Sequence, residues 1–71
     1  MSFWEFYNLV YAESINKGWR IGQSLWNNLC LKKFSVFEKM KDSGLDPFYA
    51  QTVINTEFVK AVEFIKTHWD D

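Results

Sequence analysis

Lys17-Gly18-Trp19-Arg20-Ile21-Gly22-Gln23-Ser24-Leu25-Trp26-Asn27-Asn28-Leu29 decides the fold, because this one stretch holds a helix stop, a helix start and an apolar face. Gly18 is the natural residue just past a helix end, since glycine enters the left-handed conformation without a steric cost. After it, Gly22, Leu25, Trp26 and Leu29 fall on one helical face, with Gln23, Asn27, Asn28 and Lys32 directed elsewhere. The spacing predicts a helix over 19–31. Gly22 inside that helix costs about 1 kcal/mol relative to Ala, which predicts a close approach by another helix or a bulky ring.

Working back toward the N-terminus, Ser2 with Glu5 three residues later forms a capping-box pattern, and Phe3, Phe6, Tyr7, Val10 and Ser14 follow at helical spacing. This predicts a first helix over about 3–16. Trp4, Tyr11 and Ile15 make a second apolar row beside the first, so more than half of its circumference is apolar.

Toward the C-terminus, Val36, Phe37 and Met40 share a face, predicting a short helix over 34–41 that Ser43-Gly44 ends. Leu45-Asp46-Pro47-Phe48-Tyr49 reads as Asp46 capping a turn that Pro47 opens, so residues 46–51 form a single turn rather than open loop. Asn55 or Thr56 caps a last helix, whose stripe is Phe58, Ala61, Val62, Ile65 and Trp69, with Phe64 off to the side. Thr52, Val53 and Ile54 are β-branched, but no second strand signal accompanies them. The expected fold is all-α: a small single-domain bundle of three to four short helices, spanning residues 1–71, with a large aromatic core.

The chain has 71 residues, of which Phe, Trp and Tyr make up 20%. A chain this short buries a small core, so the aromatic load is first a stability device. Even so, Trp4, Tyr11, Phe34 and Phe64 are hard to bury together, which predicts exposed rings and an interface. The candidate partner-binding residues are Trp4, Tyr11, Trp19, Arg20, Phe48, Tyr49 and Phe64. A salt bridge or arginine cap between Arg20 and Asp46 is expected to tie the second helix to the turn after the third.

Formal net charge is −1, which fits neither a dedicated nucleic-acid binder nor a strongly acidic DNA mimic. The distribution is lopsided. Lys17, Arg20, Lys32, Lys33, Lys39 and Lys41 share the segment 17–41 with one acid, Glu38, whereas acids predominate from residue 42 onward. The runner-up function is therefore a nucleic-acid-associated accessory protein using Lys17, Arg20, Lys32 and Lys33, since cations neutralise phosphates and exposed rings stack on bases.

Catalytic chemistry finds no pattern to rest on. His68 is the only histidine and is read as a solvent-exposed residue at a helix end; no nucleophile motif, carboxylate dyad, calcium loop or phosphate-binding glycine loop is spelled out. Cys30 is the lone cysteine, read as a structural thiol, and a cysteine-based zinc site would need more. The expectation is no enzyme, no cofactor and no metal. The N-terminus has neither a basic leader nor a long apolar run, so a cytoplasmic protein with no membrane contact is expected.

The run Trp19-Arg20-Ile21-Gly22-Gln23, the turn Gly44-Leu45-Asp46-Pro47-Phe48-Tyr49 and the final Phe58, Phe64-Ile65 and Trp69 helix resemble a set of small proteins of tailed bacteriophages. Such proteins carry an aromatic N-terminal helix, a Trp-Arg-x-Gly-Gln helix start, an Asp-Pro-Phe-Tyr turn and a short C-terminal helix. Leu31-Lys32-Lys33-Phe34-Ser35 departs from them in lacking a proline-containing turn. The resemblance implies an origin rather than a mechanism. It suits a phage-encoded accessory or host-interfering protein whose partner is another protein, of host or phage, or a second copy of itself.

Overall fold

The computed structural model describes residues 1–71 as four α-helices: α1 (Phe3–Lys17), α2 (Ile21–Lys32), α3 (Phe34–Asp42) and α4 (Thr56–Thr67). There is no strand. Thr52-Val53-Ile54 instead enters a turn that the Asn55 amide closes on the Thr52 carbonyl at 3.2 Å.

Each helix end is explained by a particular residue. The Ser2 hydroxyl accepts from the Glu5 amide at 3.1 Å while Glu5 Oε1 accepts from the Ser2 amide at 2.9 Å, so the expected capping box is formed. At the other end Gly18 adopts φ 68°, and the amides of Gly18 and Trp19 both reach the Ser14 carbonyl. That capping arrangement shifts the start of α2. Trp19 and Arg20 are spent on closing α1 and crossing over, and Arg20 is extended (φ −57°, ψ 148°), so α2 begins at Ile21 rather than at Trp19. Between α2 and α3 a single residue, Lys33, leaves helical geometry at φ −142°, ψ 69°. No proline is needed there: the Lys33 amide closes α2 on Leu29, and its carbonyl accepts from Phe37 to open α3. At α4 the Asn55 side chain is the cap, accepting from the Phe58 amide at 3.1 Å.

The core is one cluster. Phe3, Phe6 and Val10 come from α1, Ile21, Leu25 and Leu29 from α2, Val36, Phe37 and Met40 from α3, and Phe58, Ala61 and Ile65 from α4. Ala50 and Trp69 close it from the turn and the C-terminal end. Trp69 stacks on Phe6 with ring centroids 5.0 Å apart, meets Phe3 edge-on at 5.9 Å, and donates from Nε1 to the Met1 carbonyl at 3.1 Å. The two chain ends are thereby fastened together.

Asn28, which the periodicity directs away from the apolar face, is buried. Buried Ser24 donates to the Val10 carbonyl at 2.7 Å, and Asn28 Nδ2 donates to the Ser24 carbonyl at 3.0 Å and to its hydroxyl at 3.2 Å. This polar chain crosses from α2 to α1, and its partners make burial tolerable.

Candidate interaction site

The two aromatic segments of the sequence meet at one seam. The Pro47 carbonyl accepts from the Ala50 amide at 2.9 Å, Asp46 Oδ1 accepts from the Phe48 amide at 3.1 Å, and the Ala50 carbonyl accepts from the Gly22 amide at 3.0 Å. Gly22 lies in the first turn of α2, where amides lack intrahelical partners, so the turn caps the helix that Arg20 leaves without a side-chain cap. A Cβ on Gly22 would fall 1.7 Å from the Pro47 oxygen and 2.9 Å from the Ala50 nitrogen. The close approach expected at Gly22 is real, but it is made by the backbone of this turn, not by a helix or a ring.

Arg20 reaches the same turn by a different route from the one expected. Its Nε points at the Phe48 carbonyl at 3.5 Å, and its guanidinium stands 5.1 Å from the Phe48 ring and 5.3 Å from the Tyr49 ring. It forms no ion pair with Asp46, whose side-chain oxygen already accepts from the Phe48 amide. Phe48 meets Tyr49 at 5.0 Å and Trp26 at 6.1 Å, both edge-on, and Trp26 meets Phe37 at 4.9 Å. Trp26 is half-buried at the rim rather than inside the core stripe. Arg20, Phe48 and Tyr49 are therefore one assembly. Trp19 lies at the adjoining α1–α2 junction under the Lys17 ammonium, 4.6 Å from its ring.

The other candidates do not join it. Trp4 and Tyr11 lie on the outer side of α1, 58% and 54% exposed, and Ile15 one turn beyond Tyr11 is 65% exposed. Phe64 is half-buried and stacks on His68 at 4.3 Å. His68 is correspondingly more engaged than a free helix-end residue. Its Nδ1 lies 2.6 Å from Asp71 Oδ2, which also accepts from Lys39 Nζ at 3.2 Å. The hydrogen bond to His68, followed by that to Lys39, holds the Asp71 carboxyl below its ordinary value.

The basic segment does not assemble into one patch. Lys17 is paired with Glu13 at 3.3 Å, Lys39 with Asp71 and Lys41 with Glu38 at 3.5 Å. Arg20 and Lys32 stand at opposite ends of α2, separated by about 18 Å at the rise of a helix. Lys33 lies over the Trp69 ring at 4.8 Å.

Two depressions mark the surface. A small one of about 170 Å³ is lined by Tyr7, Val53, Phe58, Val59, Val62 and Glu63. A groove of about 360 Å³ is lined by Trp19, Trp26, Asn27, Cys30 and Leu31. Cys30 is partly buried at this groove, so its thiol lies at a surface rather than within the core. Leu31, Asn27 and Cys30 were not among the sequence candidates. A second row, Asn27, Cys30 and Leu31 on α2 with Phe34 following at the start of α3, at three- and four-residue steps in the sequence, is the signal that marks them, masked by the adjoining Lys32-Lys33. No group of three or more His, Cys, Asp and Glu is placed to hold a metal ion, and no helix is long and apolar enough to cross a membrane.

Comparison with protein-family models, with curated proteins and with solved structures finds no match to this chain.

Proposed function

We infer that the protein is a small non-enzymatic interaction module, a phage-encoded accessory or host-interfering protein that acts by binding another protein. The observation that carries this reading is the outer face of α1. Trp4, Tyr11 and Ile15 follow at seven- and four-residue steps, so they form one apolar stripe, and each remains more than half exposed after the four helices have packed. Large rings are costly to leave in water, and an aromatic stripe on a rigid helix is the composition in which interface anchors are enriched. The capping box and Gly18 fix both ends of that helix, so the stripe is presented pre-organised, which lowers the ordering cost of binding.

The nucleic-acid reading is less well supported by the same geometry. Half of the basic residues in 17–41 are neutralised by ion pairs within the fold, and the remainder, Arg20 and Lys32-Lys33, stand at opposite ends of α2. Phosphate binding needs several cations in register, with a steep loss of affinity as salt rises.

The test is sedimentation of the full chain, alone and with bacterial-host extract, for the wild type and a Trp4→Ser/Tyr11→Ser double variant. The expected result is a complex, with itself or with a host protein, that the double variant loses while keeping its helical circular dichroism. A chain that remains a monomer and forms no complex sensitive to these substitutions overturns the reading. Binding of labelled DNA at low salt that collapses at higher salt would transfer the function to the basic segment.

A further inference from the structure

The outer row of α1 and the first turns of α4 share one face of the molecule. Tyr7, whose ring centroid is 6.0 Å from that of Trp4, lines the depression of about 170 Å³ together with Val53, Val59 and Val62. Lys66 of α4 lies 5.1 Å from the Trp4 ring, so the two helices meet on this face a second time. Trp4, Tyr11 and Ile15 are left exposed on its α1 side, and Val53, Ile54 and Val59 on its α4 side. Two features of the face come in complementary pairs. A knob stands beside a hole: Ile54, at 83% the most exposed large apolar side chain of the protein, directly follows Val53 on the wall of the depression. A hole of this size takes one side chain, since a cavity of about 150 Å³ holds a benzene ring. A base stands beside an acid: Glu63 on the lining and Lys60 three residues before it are both exposed, and neither has an ion-pair partner in the fold. A surface that carries both halves of each match is what a two-fold axis requires, because there residue i meets j and j meets i.

We propose that this face binds a second copy of the chain across a two-fold axis. Each copy sets its Ile54 into the depression of the other, and Lys60 of each meets Glu63 of the other, so every match is made twice. Trp4, Tyr11 and Ile15 lie beside the exchange and are covered by it. The area is of the right order. Trp4 and Tyr11 are 58% and 54% exposed and offer on the order of 200 Å² between them, given about 150–250 Å² per ring. That is about a third of the roughly 600 Å² per copy at the lower limit of specific interfaces, and the exposed parts of Ile15, Val53, Ile54 and Val59 add to it. A partner carrying charges of one sign would leave either Lys60 or Glu63 unmatched, whereas a second copy satisfies both. The proposal rests on the reading of the α1 stripe as an interface and names its partner.

The experiment is sedimentation equilibrium of the full chain over a concentration series, for the wild type and the variants Ile54→Glu, Lys60→Glu, Glu63→Lys and Leu31→Glu. The wild type is expected to dimerise with a Kd at or below about 100 μM, as a small interface does. Ile54→Glu should weaken the dimer by at least about tenfold, as loss of a central apolar anchor does. Lys60→Glu and Glu63→Lys each set like charges against one another at two places, and each should weaken it by about three- to tenfold. Mixed in equal amounts, these two variants should pair with one another at wild-type affinity, because every contact across the axis again joins unlike charges. Only a reciprocal contact produces that recovery. Leu31→Glu lies on the α2 groove and should leave the dimer unchanged. All four residues are exposed, so the core is untouched, and unchanged helical circular dichroism confirms it. A dimer indifferent to Ile54→Glu, or charge variants that do not recover on mixing, overturns the proposal. So does a chain that stays a monomer up to about 1 mM. If that monomer still forms a complex in host extract that Trp4→Ser/Tyr11→Ser abolishes, the second copy is ruled out while the α1 reading survives.

Discussion

The seam at Gly22 and the outer face of α1 are built from similar residues and are held in opposite ways. At the seam, Phe48, Tyr49 and Trp26 touch one another edge-on and Arg20 sits over two of the rings, while beneath them backbone meets backbone through the Gly22 amide and the Ala50 carbonyl. On α1, Tyr11 and Ile15 make none of these contacts and lie mostly in water. The difference teaches that the role of a ring in this small protein is set by the backbone behind it. Where two chain segments approach to hydrogen-bonding distance, Trp26 and Phe48 are half-buried in covering the junction and only Tyr49, at its edge, stays 74% exposed. Where a helix stands with its second apolar row more than half exposed, rings are available to a partner, Tyr11 fully and Trp4 with the Lys66 ammonium 5.1 Å from its ring.

The strongest way to break this comparison is at the seam. Gly22→Ala places a methyl 1.7 Å from the Pro47 oxygen, a backbone atom that cannot rotate away. The gain of about 1 kcal/mol in helix propensity is outweighed by separation of α2 from its turn. A net loss of about 3 kcal/mol is expected, from the overpacking and the lost amide bond together, read as the midpoint shift in urea unfolding. Stability equal to wild type would show that the seam is pliable and the contrast false.

A smaller effect is expected two residues further along α2. Ser24→Ala removes the donor to the Val10 carbonyl and one acceptor of Asn28 in a fully buried site. The expected cost is about 1–2 kcal/mol, because the remaining polar groups stay partly unsatisfied. Asn28→Leu introduced with Ser24→Ala should recover part of that loss, since removing both partners is cheaper than removing one. A double variant weaker than the sum of the single variants would show that the polar chain is not the link between α1 and α2.

These interior features also mark how far the sequence could be read. The capping box at Ser2, the left-handed Gly18, the Asn55 cap and the stripe of α4 are local signals carried by one or two residues each, and the helices formed where they indicate. Gly22 announced a close approach, because glycine within a helix has a local cost that needs a local reason. What approached it was not legible: Pro47 lies 25 positions downstream, and a turn carbonyl leaves no periodic trace. Asn28 and Arg20 failed for the same reason. The Phe48 carbonyl that Arg20 meets comes from how elements meet, and Asn28, though it bonds Ser24 within its own helix, is drawn inside because Ser24 in turn bonds the Val10 carbonyl of α1. The groove at Leu31 was hidden by the lysines beside it, since an apolar row next to a charge run reads as a solvated face.

Acid should separate the two regions by a smaller, local effect. The Glu5 carboxyl is held below its ordinary value mainly by the Ser2 backbone amide and then by the Ser2 hydroxyl. A depressed value in the folded state means that the cap contributes above the unfolded value and is lost as pH falls through the folded one. Lowering pH through and below the ordinary carboxylate range should therefore fray the first turn of α1, the turn that carries Trp4, while the seam amides of Gly22 and Ala50 keep their protection. Amide hydrogen exchange of Glu5 and Phe6 against Gly22 over a pH series reads this directly, after correction for intrinsic exchange. Simultaneous loss at both places would mean that acid acts on the whole fold and that the cap is incidental.

The smallest expected change in stability is on the outer face itself, and it sharpens the comparison most. Tyr11→Ser and Ile15→Ser remove side chains that are more than half exposed, so each should shift unfolding by no more than about 0.5 kcal/mol. Serine and the residues it replaces have similar helix propensities, so the backbone gives no compensating term. If the α1 stripe is an interface, these same substitutions should weaken the complex by at least about 1 kcal/mol each, far more than they disturb the fold. A stripe that matters to folding would show the reverse, with stability falling and complex formation following it in proportion. The ratio of the two effects thus decides whether the rings of α1 belong with those at the seam or stand apart from them.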